Sequence, residues 1–192
     1  MKKHLLAACI ATSLLGACAT SMDGSMGAQS SMAAPMVGGA AMYPSKDIVD
    51  NAVNSKDHTT LVAAVKAAGL VDTLKSPGPF TVFAPTNAAF AALPAGTVDT
   101  LLKAENKPML TNVLTYHVVP GRVDAAALAQ QIRAGNGRAV LKTASGGTLV
   151  ATMSGSNVLI TDAKGGSATV TIADVYQSNG VIHVVNKVLL PG

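Results

Sequence analysis

Asn179-Gly180-Val181-Ile182-His183-Val184-Val185-Asn186-Lys187-Val188-Leu189-Leu190 is the stretch on which the fold turns. A turn pair opens it, and from Val181 to Leu190 it is almost continuously apolar. A half-buried strand alternates apolar with polar positions, so an unbroken apolar strand is covered on both faces and sits centrally in a sheet. Upstream, Arg138–Thr143, Thr148–Ser154, Asn157–Thr161 and Ala168–Ala173 repeat with period two. Gly146-Gly147, Gly155 and Gly165-Gly166 separate them, so they read as further strands joined by tight turns.

Before residue 137 the period changes. Ser45 is placed to cap a helix through Asp47–Val53 with Ile48, Val49, Ala52 and Val53 on one face. Thr59 or Thr60 can cap a second helix carrying Leu61, Val62, Val65 and Ala68, which Gly69 ends and Leu70 closes. Phe80–Ala84 reads as a buried strand stopped by Pro85, and Asn87 as the cap of a short helix with Phe90 and Leu93. Thr97–Lys103 and Pro108–Leu114 read as helical turns, Thr115–Val119 as a short strand closed by Pro120-Gly121, and Asp124 as the cap of a helix ending near Gly135. Helices first and strands last predict an α+β fold. No internal repeat is visible, and 192 residues allow one such domain.

Composition narrows the function. The chain is 49% hydrophobic, but the apolar residues fall in short runs, and the uncharged segment at its start, Leu5–Met22, is broken by Thr12, Ser13, Gly16, Thr20 and Ser21. A protein spanning a bilayer several times is therefore excluded. Arg122, Arg133 and Arg138 are the only arginines and form no basic stripe, so nucleic acid is not an expected partner.

The start of the chain reads as an address. Met1-Lys2-Lys3-His4 followed by the apolar Leu5–Leu15 has the form of an export signal. Leu15-Gly16-Ala17-Cys18 resembles the bacterial lipobox, in which the bond before a diacylated cysteine is cut. On that reading residues 1–17 are a signal peptide and Cys18 carries the lipid; the alternative is ordinary cleavage after Ala17-Cys18-Ala19. Several acyl chains give stable attachment without a spanning helix. The expected location is the outer membrane or cell surface, or, without lipid, the periplasm or the medium. Residues 18–42, rich in Ala, Met, Gly and Ser with the single charge Asp23, read as a flexible linker, and the folded domain as 43–192. Met22/Met26 and Met32/Met36 are spaced by four and could present thioethers to Cu(I), although a linker that merely uses Met explains them as well.

Two boxes then match a known family. Thr81-Val82-Phe83-Ala84-Pro85-Thr86-Asn87-Ala88-Ala89-Phe90 and Asn179–Pro191 resemble the two boxes of fasciclin domains, and Leu114–Gly121 is similar to the Tyr-His segment between them. The resemblance covers residues 45–192 and implies a single fasciclin domain, a β-wedge or sandwich with helices packed around it. It also implies adhesion: a non-enzymatic module contacting a matrix or cell-surface protein, or a polysaccharide, with the membrane reached only through the N-terminal lipid.

The same resemblance nominates Asp174 and Val175, which stand where an Asp-Ile pair is implicated in integrin contact in animal matrix members; Val departs from that Ile. The plainer reading is that Asp174 ends a strand and caps a turn. Tyr116 and His117 are nominated too, against a reading as buried groups that hydrogen-bond the backbone. A second function class stays open, a small apolar ligand held between helices and sheet. Catalysis is not expected. His58, His117, His183, Glu105 and Cys18 offer no Gly-x-Ser-x-Gly elbow, paired cysteines or closely spaced histidines, so no catalytic residue, cofactor or metal is assigned. Oligomeric state is not legible.

Overall fold

The expectation of a central, doubly covered strand is met in the computed structural model, which describes residues 34–192. The export signal, Cys18 and most of the Met-rich segment lie outside the described residues. In chain order the first elements are β1 (Met36–Val37), β2 (Ala40–Ala41), α1 (Ile48–Ala52), α2 (Thr59–Ala68), α3 (Val71–Lys75), β3 (Phe80–Pro85), α4 (Asn87–Ala91) and α5 (Thr97–Leu102). Then come α6 (Lys107–Tyr116), β4 (Val118–Pro120), α7 (Ala125–Ala134), β5 (Arg138–Lys142), β6 (Thr148–Ser154), β7 (Asn157–Thr161), β8 (Ser167–Gln177) and β9 (Gly180–Val185).

The larger sheet has the order β4-β3-β9-β8-β7-β6-β5. β9 pairs parallel with β3, Phe80 opposite Gly180 through Pro85 opposite Val185, and antiparallel with β8. All six of its residues are buried. The sheet nearly closes, because the Ala144 N–H, just beyond β5, donates to the Val118 carbonyl of β4 at 2.7 Å. Alternation along β3 and β9 divides the core in two. Val82, Ala84, Ile182 and Val184 face the helices, packing with Ile48, Leu61, Val65 and Leu114. Phe83 and Val185 face into the wedge, where α7 lays Leu128 and Ile132 on Leu141, Leu149, Ala151 and Ile160.

Several boundaries differ from the sequence reading, each for a local reason. β9 stops at Val185, not Leu190: Val188 and Leu189 remain buried, but the N–H groups of Leu189 and Leu190 go to the side chains of His117 and Asp162. Thr115 and Tyr116 are the last residues of α6, so the strand expected over Thr115–Val119 begins only at Val118. β8 runs on to Gln177 through two register shifts and a positive φ of 58° at Asp174, so the carboxylate expected to end a strand sits inside one.

Caps are also redistributed. Asp47, not Ser45, caps α1 by accepting from the Asp50 N–H at 2.8 Å. Thr86 caps α4, which leaves the Asn87 side chain free to act elsewhere. Its Oδ1 accepts from the Thr60 N–H at 3.0 Å and so caps α2 from a distant part of the chain. Gly69, at φ 74°, closes α2 as expected, with the Leu70 N–H reaching back to the Val65 carbonyl at 3.0 Å.

The flexible linker expected through residue 42 does not hold for its end. Gly38 and Gly39 form the turn of the β1–β2 hairpin, and Gly38 lies so close to Ser55–Asp57 that no side chain fits there. Val37 and Met42 are buried in the helix-side core, with Met42 only 2% exposed. Burying an apolar side chain contributes about 1.5–3 kcal/mol, enough to order a short glycine-rich segment whose bulky residues face inward.

Candidate functional site

Asp174 lies at the bulge of β8 and is half-buried. Its Oδ1 accepts from the Ala125 N–H at 2.7 Å, so together with Asp124, which accepts from Ala127, it satisfies the N-terminus of α7. Beneath it, His183 Nε2 lies 2.8 Å from the Val123 carbonyl, Nδ1 faces the Asp174 N–H at 3.4 Å, and the ring stacks on Phe83 at 5.6 Å. A neutral imidazole protonated on Nε2 satisfies both neighbours, and burial holds its pKa below the usual histidine value. Val175 is 0% exposed and belongs to the core.

Tyr116 and His117 are also inside, at 1% and 3% exposure. At the end of α6 they do not alternate across a strand. The Tyr116 hydroxyl donates to the Thr148 carbonyl at 2.7 Å and accepts from the Ala163 N–H at 3.0 Å, tying the β5–β6 turn to the loop after β7. His117 Nδ1 is 2.8 Å from the Val113 carbonyl, and Nε2 accepts from the Leu189 N–H at 2.9 Å. Burial pushes its pKa down to about 4, against a smaller opposing pull from the Val113 carbonyl and Asp162. Of the four nominated residues in the domain, only Asp174 reaches the surface, and Cys18 lies outside the described residues.

What does face solvent beside Asp174 was missed by the sequence reading. With Val175 and Gln177 buried, alternation turns Tyr176 outward, 37% exposed, and the Arg122 guanidinium lies over its ring at 4.8 Å. The signal was present in the sequence: a tyrosine next to an inward-facing valine in a strand points out.

Two further features bear on chemistry. Ser55 Oγ sits 2.9 Å from His58 Nδ1, the one serine–histidine contact among the described residues. Both residues are buried, and His58 Nε2 approaches the Ala84 backbone without reaching hydrogen-bond geometry. No carboxylate hydrogen-bonds the ring, and the cavity both side chains touch is of about 10 Å³, room for a water and not for a substrate, so the pair braces the loop after α1. Among the described residues no three of His, Cys, Asp and Glu gather as metal ligands, and no helix is long and apolar enough to cross a membrane. The second feature is a cavity of about 90 Å³ between α1, α2, α3, α6 and the β3–β4 edge, with walls that include Val49, Leu61, Val65, Leu74 and Val82.

The Fasciclin domain family model matches residues 56–191. The chain is 48% identical over 156 residues to Protein sll1483 of Synechocystis sp., covering 81% of this chain and 79% of that one. It is 38% identical over 145 residues to Immunogenic protein MPB70 of Mycobacterium bovis, covering 73% and 66%. To Transforming growth factor-beta-induced protein ig-h3 of Sus scrofa it is 37% identical over 148 residues, 77% of this chain but 20% of that much longer protein. The fold is shared with a FAS1 domain pair from the insect cell adhesion molecule Fasciclin I, at a TM-score of 0.53 and 24% identity, covering 68% of this chain and 43% of that one. Residues 56–191 hold both boxes and the Tyr-His segment, and the chain belongs to the fasciclin domain family.

Proposed function

We propose that the domain is a non-enzymatic interaction module, exported and held at the bacterial envelope through lipidated Cys18. In this reading it contacts a matrix protein, a polysaccharide or another cell surface through Tyr176 and Arg122 beside Asp174. The observation that supports the contact face is the exposed Tyr176–Arg122 stack. Tyrosine and arginine are among the residue types most enriched in energetically dominant contacts, and a ring already held under a guanidinium loses little entropy on binding. Asp174 anchors that face from below, through α7. Arg122→Ala with Tyr176→Ala is expected to abolish attachment by cells carrying the protein while leaving its thermal unfolding unchanged. Attachment equal to wild type removes this face from consideration.

The cavity favours a second reading, that the domain also takes up a small apolar ligand. A space of about 90 Å³ with aliphatic walls lies between the helices and the sheet. It is several times the roughly 10–15 Å³ one water needs, yet it offers water few polar partners.

A further inference from the structure

We infer that this cavity is a binding site for a single-chain anionic amphiphile of the fatty-acid class, its alkyl chain inside and its carboxylate on Lys66. The assignment rests on the apolar-ligand reading above and adds the charge and the shape of the ligand.

The walls set the first requirement. Deep residues such as Val49, Leu61, Val65, Leu74 and Val82 are buried and aliphatic, so the interior rewards only methylene-like groups. His117 also borders it, but both ring nitrogens are already bonded within the fold, and it offers a ligand nothing. The volume of about 90 Å³ accepts one slender alkyl segment and not the paired chains of a phospholipid.

The mouth sets the second. Lining residues that reach solvent include Lys66, Thr73 and Ala144, so an occupant's polar end can stay wet while its chain is buried. Among the described residues Lys66 is the one charged side chain in the lining, and it makes no ion pair there. Among the described residues no aspartate or glutamate lines the cavity. A second ammonium lies close by: Lys107 Nζ packs over Gly69 at the end of α2, three residues beyond Lys66. A carboxylate at this mouth meets positive charge, and a cationic amphiphile meets repulsion.

The test is calorimetric titration of the purified chain bearing Cys18→Ser, so that no acyl chain of its own competes. The probes are decanoate, octanoate, 1-decanol and decyltrimethylammonium, all below their micelle concentrations. Decanoate is expected to bind one to one and tighter than octanoate, by up to about fifteenfold, the gain when each added methylene is fully buried at about fourfold. Lys66→Gln should weaken decanoate by up to about fivefold, the range for an exposed ion pair, and leave 1-decanol unchanged. Val62→Phe in the wall and Ala144→Trp at the exposed mouth should each abolish binding, the latter with no strain on the core. If 1-decanol matches decanoate and Lys66→Gln has no effect, the carboxylate assignment fails and the apolar-ligand reading stands. If no decyl probe binds, both fail. Binding that survives both filling variants places the ligand elsewhere and overturns the site.

Discussion

Lowering the pH below 6.5 should destabilise the domain through His117. In the fold His117 donates from Nδ1 to the Val113 carbonyl and accepts from the Leu189 N–H on Nε2. Burial strips the charged ring of water and pushes its pKa down to about 4 from 6.5, and a second ring proton would also face the Leu189 N–H. The unfolded chain takes up the proton near pH 6.5 and the folded chain only near 4, so between those values the unfolded state binds more. Stability from this group is complete above pH 6.5 and is lost as pH falls towards 4. The full difference is about 3 kcal/mol, of which about 2 kcal/mol is gone by pH 5. His58 and His183 are shifted in the same direction, chiefly by burial, and steepen the loss. Urea unfolding followed by circular dichroism at pH 7, 6 and 5 reads the slope, and the His117 ring-proton shift reads its own titration. His117→Gln, which keeps one donor and one acceptor but cannot titrate, should flatten the profile. Folded His117 titrating near 6.5, or an unfolding free energy constant from pH 7 to 5, would show that burial of this ring does not govern the acid response.

Three other outcomes are expected. Cys18→Ser should move the protein from the membrane to the soluble fraction with the domain's circular dichroism intact; a variant that still fractionates with membranes argues against the tether. Met42→Ala should cost about 2–5 kcal/mol of stability because its side chain is fully enclosed, whereas a linker residue would cost nothing measurable in a denaturant midpoint. Asn87→Ala should cost about 0.5–2 kcal/mol by uncapping α2, a fall of about 1–8 °C in the thermal midpoint for a chain of this size.

The strands were legible because their cause is local. Period two in Thr148–Ser154 and Asn157–Thr161 placed β6 and β7 to the residue, and the apolar run after Asn179 placed the central strand. What the sequence hid was long-range satisfaction of backbone groups. Asn87 looks like the cap of the helix it begins but serves a helix 27 residues earlier, and Asp174 looks like a strand end but serves α7, 49 residues earlier. The hairpin at Met36–Ala41 was hidden by composition: in a segment of Ala, Gly and Met, nothing local shows that Val37 and Met42 meet a core built by residues downstream. At the candidate site, resemblance nominated both Asp174 and Val175, of which Asp174 reaches the surface and Val175 belongs to the interior. Tyr176 and Arg122 became visible as a pair only once β8 and the segment before α7 were brought together.

If the domain works by contact at the cell surface, loss of the chain must cost attachment. The direct measurement compares attachment to host matrix and biofilm formation between a strain lacking the chain and the same strain complemented with it. A deficit is expected in the deletion strain, restored by the wild-type chain and not by the Arg122→Ala, Tyr176→Ala chain. A deletion strain that attaches and forms biofilm as well as its parent would mean that the domain does something other than adhere.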